Sequence, residues 1–325
     1  MKAILFTKYG SPEVLQLTEV EKPTPKDNQV LVKVHAASVN PLDWHSMRGP
    51  LVLRLMNGGL LKPKNTSLGV DIAGRVEAVG KSVKQFQPGD AVFGVAKGAF
   101  AEYVCAAEHK LALKPDNVSF EAAAAVPVVA FTALQALRDK GRIQPGQKVL
   151  INGASGGVGT FAVQIARSFG AEVTAVCSTR NLDIARSIGA DHVIDYTRED
   201  FTKNGQRYDL ILAVNGYHPI LDYRRALSPE GIYISAGGSM TQIVQGMLLG
   251  RLLSRIGSKK LDFMGIATTD QKDLVVIREL LEAGKVVPVI DRCYPLSEAS
   301  EALRYLGQGH AKGKVVITVD HNNKT

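Results

Sequence analysis

Gly153, Ser155, Gly156, Gly157 and Gly159 crowd into seven residues directly after the apolar run Val149-Leu150-Ile151. Phe161-Ala162-Val163-Gln164-Ile165-Ala166-Arg167 then continues at helical spacing. A strand feeding a glycine turn and then a helix gathers bare backbone N–H groups and the positive end of a helix dipole at one point, which suits a pyrophosphate. Glycine is needed there because a Cβ would block the turn or hold the phosphate away. The pattern departs from G-x-G-x-x-G at its first position, Ala154. Its context agrees with a βαβ unit, because Val173 to Cys177 reads as a second strand at the expected spacing. Ala154, Ser155, Gly156, Gly157, Val158 and Gly159 are therefore the candidate phosphate cradle.

The same residues spell another motif. Gly153-Ala154-Ser155-Gly156-Gly157 is G-x-S-x-G, the nucleophile elbow of α/β-hydrolases, and Asp209 and His310 lie downstream as candidate triad partners. Two features favour the nucleotide reading. The glycines continue to Gly159, and the second strand ends in Cys177-Ser178-Thr179-Arg180-Asn181. NAD-binding folds place a carboxylate at that strand end to bond the ribose 2′-OH. Here stand a small hydroxyl, Ser178, and a guanidinium, Arg180, which suit a 2′-phosphate. The expected cofactor is NADPH. The plain alternative is that Arg180 is an ordinary surface charge.

The elements that must hold these residues follow from pattern. Residues 1 to about 121 are strand-rich, as in Val30-Leu31-Val32-Lys33-Val34 and Ala91-Val92-Phe93, with Gly, Pro and Asp punctuation. From 122 to 267 strands alternate with helices. The runs 148–152, 172–177, 192–195, 208–213, 231–235 and 261–265 are strand candidates, with helices such as 160–169 and 182–188 between them. That alternation predicts right-handed crossovers and a parallel doubly wound sheet. Beyond it a helix (274–283), a strand (287–290), a helix (297–306) and a terminal strand (314–319) are expected.

Bulk properties set limits. With 325 residues, 45% hydrophobic and 22% charged, the chain has room for two globular domains. Cys105, Cys177 and Cys293 lie far apart, which argues against a disulfide framework or a paired-cysteine metal site and fits a cytoplasmic protein. Met1 to Phe6 is too short an apolar run for a signal peptide, and the run 122–137 falls short of a membrane span. The net charge of +8 is mostly dispersed, so no nucleic-acid partner is expected. One basic cluster, Arg251, Arg255, Lys259 and Lys260, follows the apolar Ile243, Val244, Met247, Leu248, Leu252 and Leu253. It reads either as a peripheral membrane anchor over 240–260 or, more commonly for such a segment, as packing on a neighbouring domain or subunit. A homodimer is the expected assembly.

Several segments in fixed order carry a family resemblance: Ser38-Val39-Asn40-Pro41-Leu42-Asp43-Trp44, Gly69-Val70-Asp71-Ile72-Ala73-Gly74 and Gly89-Asp90-Ala91-Val92-Phe93-Gly94. Thr132-Ala133-Leu134-Gln135, the glycine turn and Gly309-His310-Ala311-Lys312-Gly313-Lys314-Val315-Val316 follow. Over nearly its whole length the chain resembles the zinc-free quinone oxidoreductase branch of the medium-chain dehydrogenase/reductase superfamily. The resemblance implies an α/β fold: a GroES-like β domain (1–121 and 268–325) joined to a Rossmann-type domain (122–267). Many relatives bind zinc, but Asn40 and Val70 stand at or near the catalytic ligand positions, and no cysteine cluster falls between Phe93 and Tyr103. Tight tetrahedral zinc is built on such thiolate and imidazole ligands. No metal is therefore expected, and a metal-free site suits hydride delivery to a quinone or an α,β-unsaturated carbonyl better than alcohol oxidation.

By the same resemblance Asn40, Asp43, His45 and Thr132 match positions lining the nicotinamide and substrate cleft, and Tyr196 and Asn215 match cofactor contacts. His45 would donate a proton or hydrogen bond to a developing enolate oxygen; its bland alternative is a partly buried histidine satisfied by backbone. Trp44 is expected to pack. Some relatives are catalytically idle or bind RNA, so an idle NADPH-binding protein is the alternative from another class.

Overall fold

The computed structural model describes residues 1–50, 54, 59–215, 218–237 and 257–321. In chain order it contains β1 (Lys2–Leu5), β2 (Gln16–Glu19), β3 (Gln29–Val39), α1 (Pro41–Arg48), β4 (Asp71–Val79), β5 (Ala91–Val95), β6 (Tyr103–Ala107) and β7 (Leu111–Leu113). Next come α2 (Phe120–Ala124), α3 (Pro127–Gln135), β8 (Lys148–Asn152), α4 (Gly157–Ser168), β9 (Glu172–Cys177), α5 (Leu182–Ser187), β10 (His192–Asp195) and β11 (Tyr208–Ala213). The remainder is α6 (Ile220–Ala226), β12 (Leu227–Ser235), β13 (Lys260–Phe263), α7 (Gln271–Glu282), β14 (Ile290–Pro295), α8 (Ala299–Gly307) and β15 (Lys314–Thr318).

The chain divides into two compact units. The first comprises Met1–Val128, Thr269–Glu282 and Pro288–Thr325; the second comprises Val129–Thr268 and Ala283–Val287. The first is built on a seven-stranded sheet in the order β14-β15-β3-β4-β5-β7, with β6 pairing β3. Ile4, Phe6, Val32, Val34, Met47, Ile72, Phe100 and Leu303 belong to its buried core, and Trp44 packs against that core as expected.

The second unit holds a six-stranded sheet in the order β10-β9-β8-β11-β12-β13, every pairing parallel. This is the doubly wound arrangement, and its order reverses between β8 and β11. Ligands bind such sheets at the carboxyl ends of the strands, at the reversal. The glycine turn leaves β8 at that place.

Several element boundaries depart from expectation, three of them as follows. The predicted helix at 160 begins at Gly157, because Gly156 is extended (ψ 176°) and hands over to the helix at once. The strand expected at 287–290 runs instead from Ile290 to Pro295. Val287 is held by the Gln164 carboxamide, which accepts from the Val287 N–H at 2.8 Å and donates to its carbonyl at 3.0 Å, so its polar groups are spent before the sheet begins. The strand expected at 261–265 runs from Lys260 to Phe263, and Gly265 (φ +73°) lies two residues beyond its end.

Of the basic segment, Ile243, Val244, Met247, Leu248, Arg251, Leu252, Leu253 and Arg255 lie outside the described residues. Lys259 donates to the Arg224 carbonyl at 2.9 Å. Among the described residues no helix is long and apolar enough to cross a membrane.

Candidate functional site

The turn after β8 owes its shape to two glycines. Gly153 has φ +89°, and its N–H and that of Ala154 both donate to the Val176 carbonyl at 3.1 Å, tying the turn to β9. The tight conformation thus falls on Gly153, one residue before the motif's first position, which is why Ala154 is tolerated there, fully buried. A Cβ on Gly159 would lie 2.1 Å from the Gly153 oxygen and 2.7 Å from the Ala154 Cα, so only glycine lets α4 approach the turn. Gly156 faces open space instead: a Cβ there would meet nothing closer than the Gly153 oxygen at 3.8 Å. Thr160 N–H donates to the Gly156 carbonyl at 2.9 Å, which leaves the N–H groups of Gly157, Val158 and Gly159 outside the helical ladder. An open concavity lined by unspent N–H groups at a helix N-terminus fits a pyrophosphate.

At the end of β9, Ser178 is half-buried and Arg180 is exposed. Thr179 Oγ1 donates to Asp195 Oδ2 at 2.5 Å, which takes that carboxylate's capacity and holds its pKa below the ordinary value. The structure also brings in Asn181, which sequence reasoning did not select. Its carboxamide donates to Ser155 Oγ at 2.9 Å and to Ser178 Oγ at 3.3 Å, linking the two predicted phosphate-binding serines. Among the described residues Asn181 Oδ1 is buried with no hydrogen-bond partner. Asn215 is exposed but placed beside the turn, its N–H donating to the Asn152 carbonyl at 3.3 Å. Tyr196 is exposed, its N–H bonded to the Cys177 carbonyl at 3.1 Å. Thr132 is half-buried on α3.

The hydrolase geometry is not present. Asp209 accepts from the Lys148 N–H at 2.9 Å, at the amino-terminal start of β8. Ser155 lies past the opposite end of that strand, and its hydroxyl pairs with Asn181 rather than with a histidine.

The first unit carries a second polar group of residues, at the corner where β3 turns into α1. Pro41 opens the helix, and Asp43 Oδ2 accepts the Asn40 N–H at 2.9 Å, half of a capping box. Asp43 Oδ1 accepts the Gly69 N–H at 2.9 Å. Asn40 is 2% exposed and spends its amide fully: Nδ2 donates to Asp71 Oδ2 at 2.8 Å, and Oδ1 accepts from Lys314 Nζ at 2.7 Å. Asp71, wholly buried, also accepts from Ser38 Oγ at 2.8 Å and from the Val128 N–H at 2.9 Å. Lys314 completes the group with Val39 O at 3.0 Å and an ion pair to Asp71 at 3.4 Å. Burial pushes the Asp43 carboxyl up to about 6, with neighbouring Asp71 adding to the effect against the pull of two backbone N–H donors. Burial lowers the Lys314 ammonium, and Asp71 partly restores it.

Asn40 and Asp43 therefore meet in space, whereas His45 does not join them. It lies exposed on α1 rather than partly buried, and among the described residues its ring has no hydrogen-bond partner. Asp71, Lys314 and Ser38 escaped sequence reasoning as site residues, although all three sit inside the segments that carried the resemblance. Zinc does not fit here. Val70 offers no ligand atom, Asn40 has none to spare, and among the described residues no three His, Cys, Asp or Glu side chains group to hold a metal ion.

Comparison with known proteins agrees over the full length. Residues 26–116 match the alcohol dehydrogenase GroES-like domain, and residues 188–317 match a zinc-binding dehydrogenase model. The chain is 35% identical to the mitochondrial NAD(P)H oxidoreductase RTN4IP1 of Mus musculus, over 98% of this chain and 89% of that protein. It is 35% identical to the 2-methylene-furan-3-one reductase of Solanum lycopersicum, over 98% of this chain and 79% of that protein. Among solved structures it is similar to the quinone oxidoreductase of Coxiella burnetii, with TM-score 0.86 and 31% identity over 98% of this chain and 99% of that one. The quinone oxidoreductase of Escherichia coli complexed with NADPH aligns with TM-score 0.82 and 27% identity, over 98% of this chain and 100% of that one.

Proposed function

Because the chain belongs to the zinc-free quinone oxidoreductase branch of the medium-chain dehydrogenase/reductase superfamily, we propose that it reduces quinones or α,β-unsaturated carbonyls with NADPH and without a metal. The observation that carries this reading is the open glycine cradle at the strand-order reversal, with Ser178 and Arg180 rather than a carboxylate at the end of β9.

The bound nicotinamide supplies the hydride. The chain's own residues bind, orient and stabilise. N–H groups of Gly157, Val158 and Gly159 would hold the pyrophosphate, and Ser178 and Arg180 the 2′-phosphate, with Thr132, Tyr196 and Asn215 as further cofactor contacts. Asn40 and Asp43 act indirectly. Their polar atoms are consumed by Asp71, Lys314 and backbone, so they fix the corner from which α1 carries His45. When hydride reaches the β-carbon of an enone, the electron pair moves to the carbonyl oxygen, and a donor such as the His45 ring steadies that charge. Solvent supplies the final proton. No step asks for a Lewis acid, because the acceptor is already electron-poor.

A panel of quinones, enones, simple ketones and primary alcohols, each with NADPH and with NADH, tests the reading. NADPH oxidation with quinones or enones is expected, undiminished after dialysis against a chelator. Turnover of esters without nucleotide, or efficient oxidation of primary alcohols, would overturn it. Dispersed positive charge and three free cysteines support a cytoplasmic protein without a nucleic-acid partner. A homodimer is the assembly we propose, to be read by sedimentation.

A further inference from the structure

Asn181 stands where the glycine turn and the end of β9 meet, the last residue of the strand-end segment and one given no role from sequence. It is 6% exposed. Its Nδ2 donates at once to Ser155 Oγ (2.9 Å) and Ser178 Oγ (3.3 Å). A carboxamide nitrogen has two hydrogens and accepts nothing. Both hydrogens are used here, so each serine oxygen is fixed as the acceptor in its bond to Asn181. A serine has one O–H, and that hydrogen must then point elsewhere. Neither serine hydroxyl donates to any other described residue, whereas the third hydroxyl of the segment, Thr179, is already spent on Asp195. Among the described residues the carboxamide oxygen Oδ1 is buried without a donor, so Asn181 is held through its Nδ2 alone.

We propose that Asn181 is a positioning residue that sets cofactor preference. By donating to Ser155 and Ser178 it turns both hydroxyls into outward donors for phosphate oxygens. The proposal rests on the reading of this site as one for NADPH. A hydroxyl faces either way: beside a carboxylate it donates to the carboxylate, and beside an amide N–H it accepts and keeps its hydrogen for another acceptor. A phosphate accepts only, so it needs the second arrangement. A carboxylate at this strand end instead suits the 2′-hydroxyl of NAD. Asn181 thus does by orientation what a lysine or arginine does by charge.

Asn181→Asp preserves size and inverts the polarity. Both serine hydroxyls then turn inward, and a negative charge faces the phosphates. Dissociation constants for NADPH and NADH, read from nicotinamide fluorescence, test this in wild type, N181D, N181A, S178A and the N181D/S178A pair, with thermal unfolding as the check on folding. A hydrogen bond to a charged group corresponds to about 10- to 100-fold in affinity, and a neutral one to about 3- to 10-fold. N181D is expected to weaken NADH by about 10-fold, the share of Ser155 alone, and NADPH by about 100-fold, the shares of both serines. N181A should weaken NADPH by about 3- to 10-fold. S178A should cost NADPH affinity in the wild-type background and nothing further in N181D, because that hydroxyl has already turned away. Equal weakening of both cofactors by N181D and N181A would make Asn181 merely structural and overturn the inference. So would full additivity of N181D and S178A. A wild-type protein that prefers NADH overturns the NADPH reading and this inference together. A wild-type preference for NADPH that survives N181D overturns this inference alone.

Discussion

Lys314→Met probes the buried polar corner most directly. The Lys314 side chain is 3% exposed, and its Nζ reaches Asn40 Oδ1 at 2.7 Å, Val39 O at 3.0 Å and Asp71 Oδ2 at 3.4 Å. Methionine keeps the unbranched apolar stem, so little cavity is made and the loss is essentially the cation. Asp71 would stay buried with Ser38 Oγ, Asn40 Nδ2 and the Val128 N–H as donors but without a countercharge. Removing one partner of a buried pair costs about 3–5 kcal/mol. Three donors remain on the carboxylate, each a charge-assisted bond of about 1.5–3 kcal/mol, so we expect the lower end, about 3 kcal/mol. Asp71→Asn in the same background removes the orphaned charge and should recover about 1–3 kcal/mol. Trp44 is the only tryptophan in the chain and packs against the core of this unit, so its fluorescence during urea unfolding reports the relevant transition. Wild type, both single variants and the double variant form a cycle. Additivity within about 0.5 kcal/mol would refute the coupling and with it the view that the corner is held by this pair.

Asp43 makes stability depend on pH in an unusual direction. Its folded pKa is raised from 3.8 to about 6, so as pH rises through that window the unfolded chain gives up its proton first. Stability should fall by up to about 3 kcal/mol between those values, and Asp43→Asn should flatten that part of a urea-midpoint profile. Gly159→Ala would drive a Cβ against the backbone of Gly153 and Ala154; a loss of about 1–3 kcal/mol together with nucleotide affinity is expected, and unchanged NADPH binding would show that the turn yields freely. Arg180→Ala should weaken NADPH by about 10- to 100-fold and leave NADH nearly unchanged in fluorescence titration, equal losses marking Arg180 as structural. His45→Ala should lower kcat for enones by up to about 1000-fold with folding intact, whereas an unchanged kcat would give the enolate to solvent and the ribose.

Much of the Rossmann-type unit was legible in the sequence because its signals are local. Apolar runs of strand length, helical spacing between them and glycines at one turn located five of the six strands to within a residue at their starts, and put the cradle at the end of β8. Strand β12 begins four residues before the expected 231, since Leu227 to Glu230 lack the apolar run that marks the rest. What the sequence left undecided shares one cause. Val287 to Ile290 reads as a strand, yet Val287 gives its polar groups to Gln164, 123 residues away. Asn40 and Asp43 match cleft-lining positions by resemblance alone. Whether their polar atoms face a substrate or are consumed depends on Asp71 and on Lys314, which is 274 residues from Asn40. Asn181 carries no motif and becomes visible only when β9 lies beside β8 and brings Ser178 near Ser155. Periodicity and turn chemistry act between neighbours in the chain, so the sequence by itself determined most elements and the glycine turn after β8. Which polar groups are buried, and which partners satisfy them, is settled only when distant segments pack, so the tertiary structure decided the corner at Asn40 and the link at Asn181.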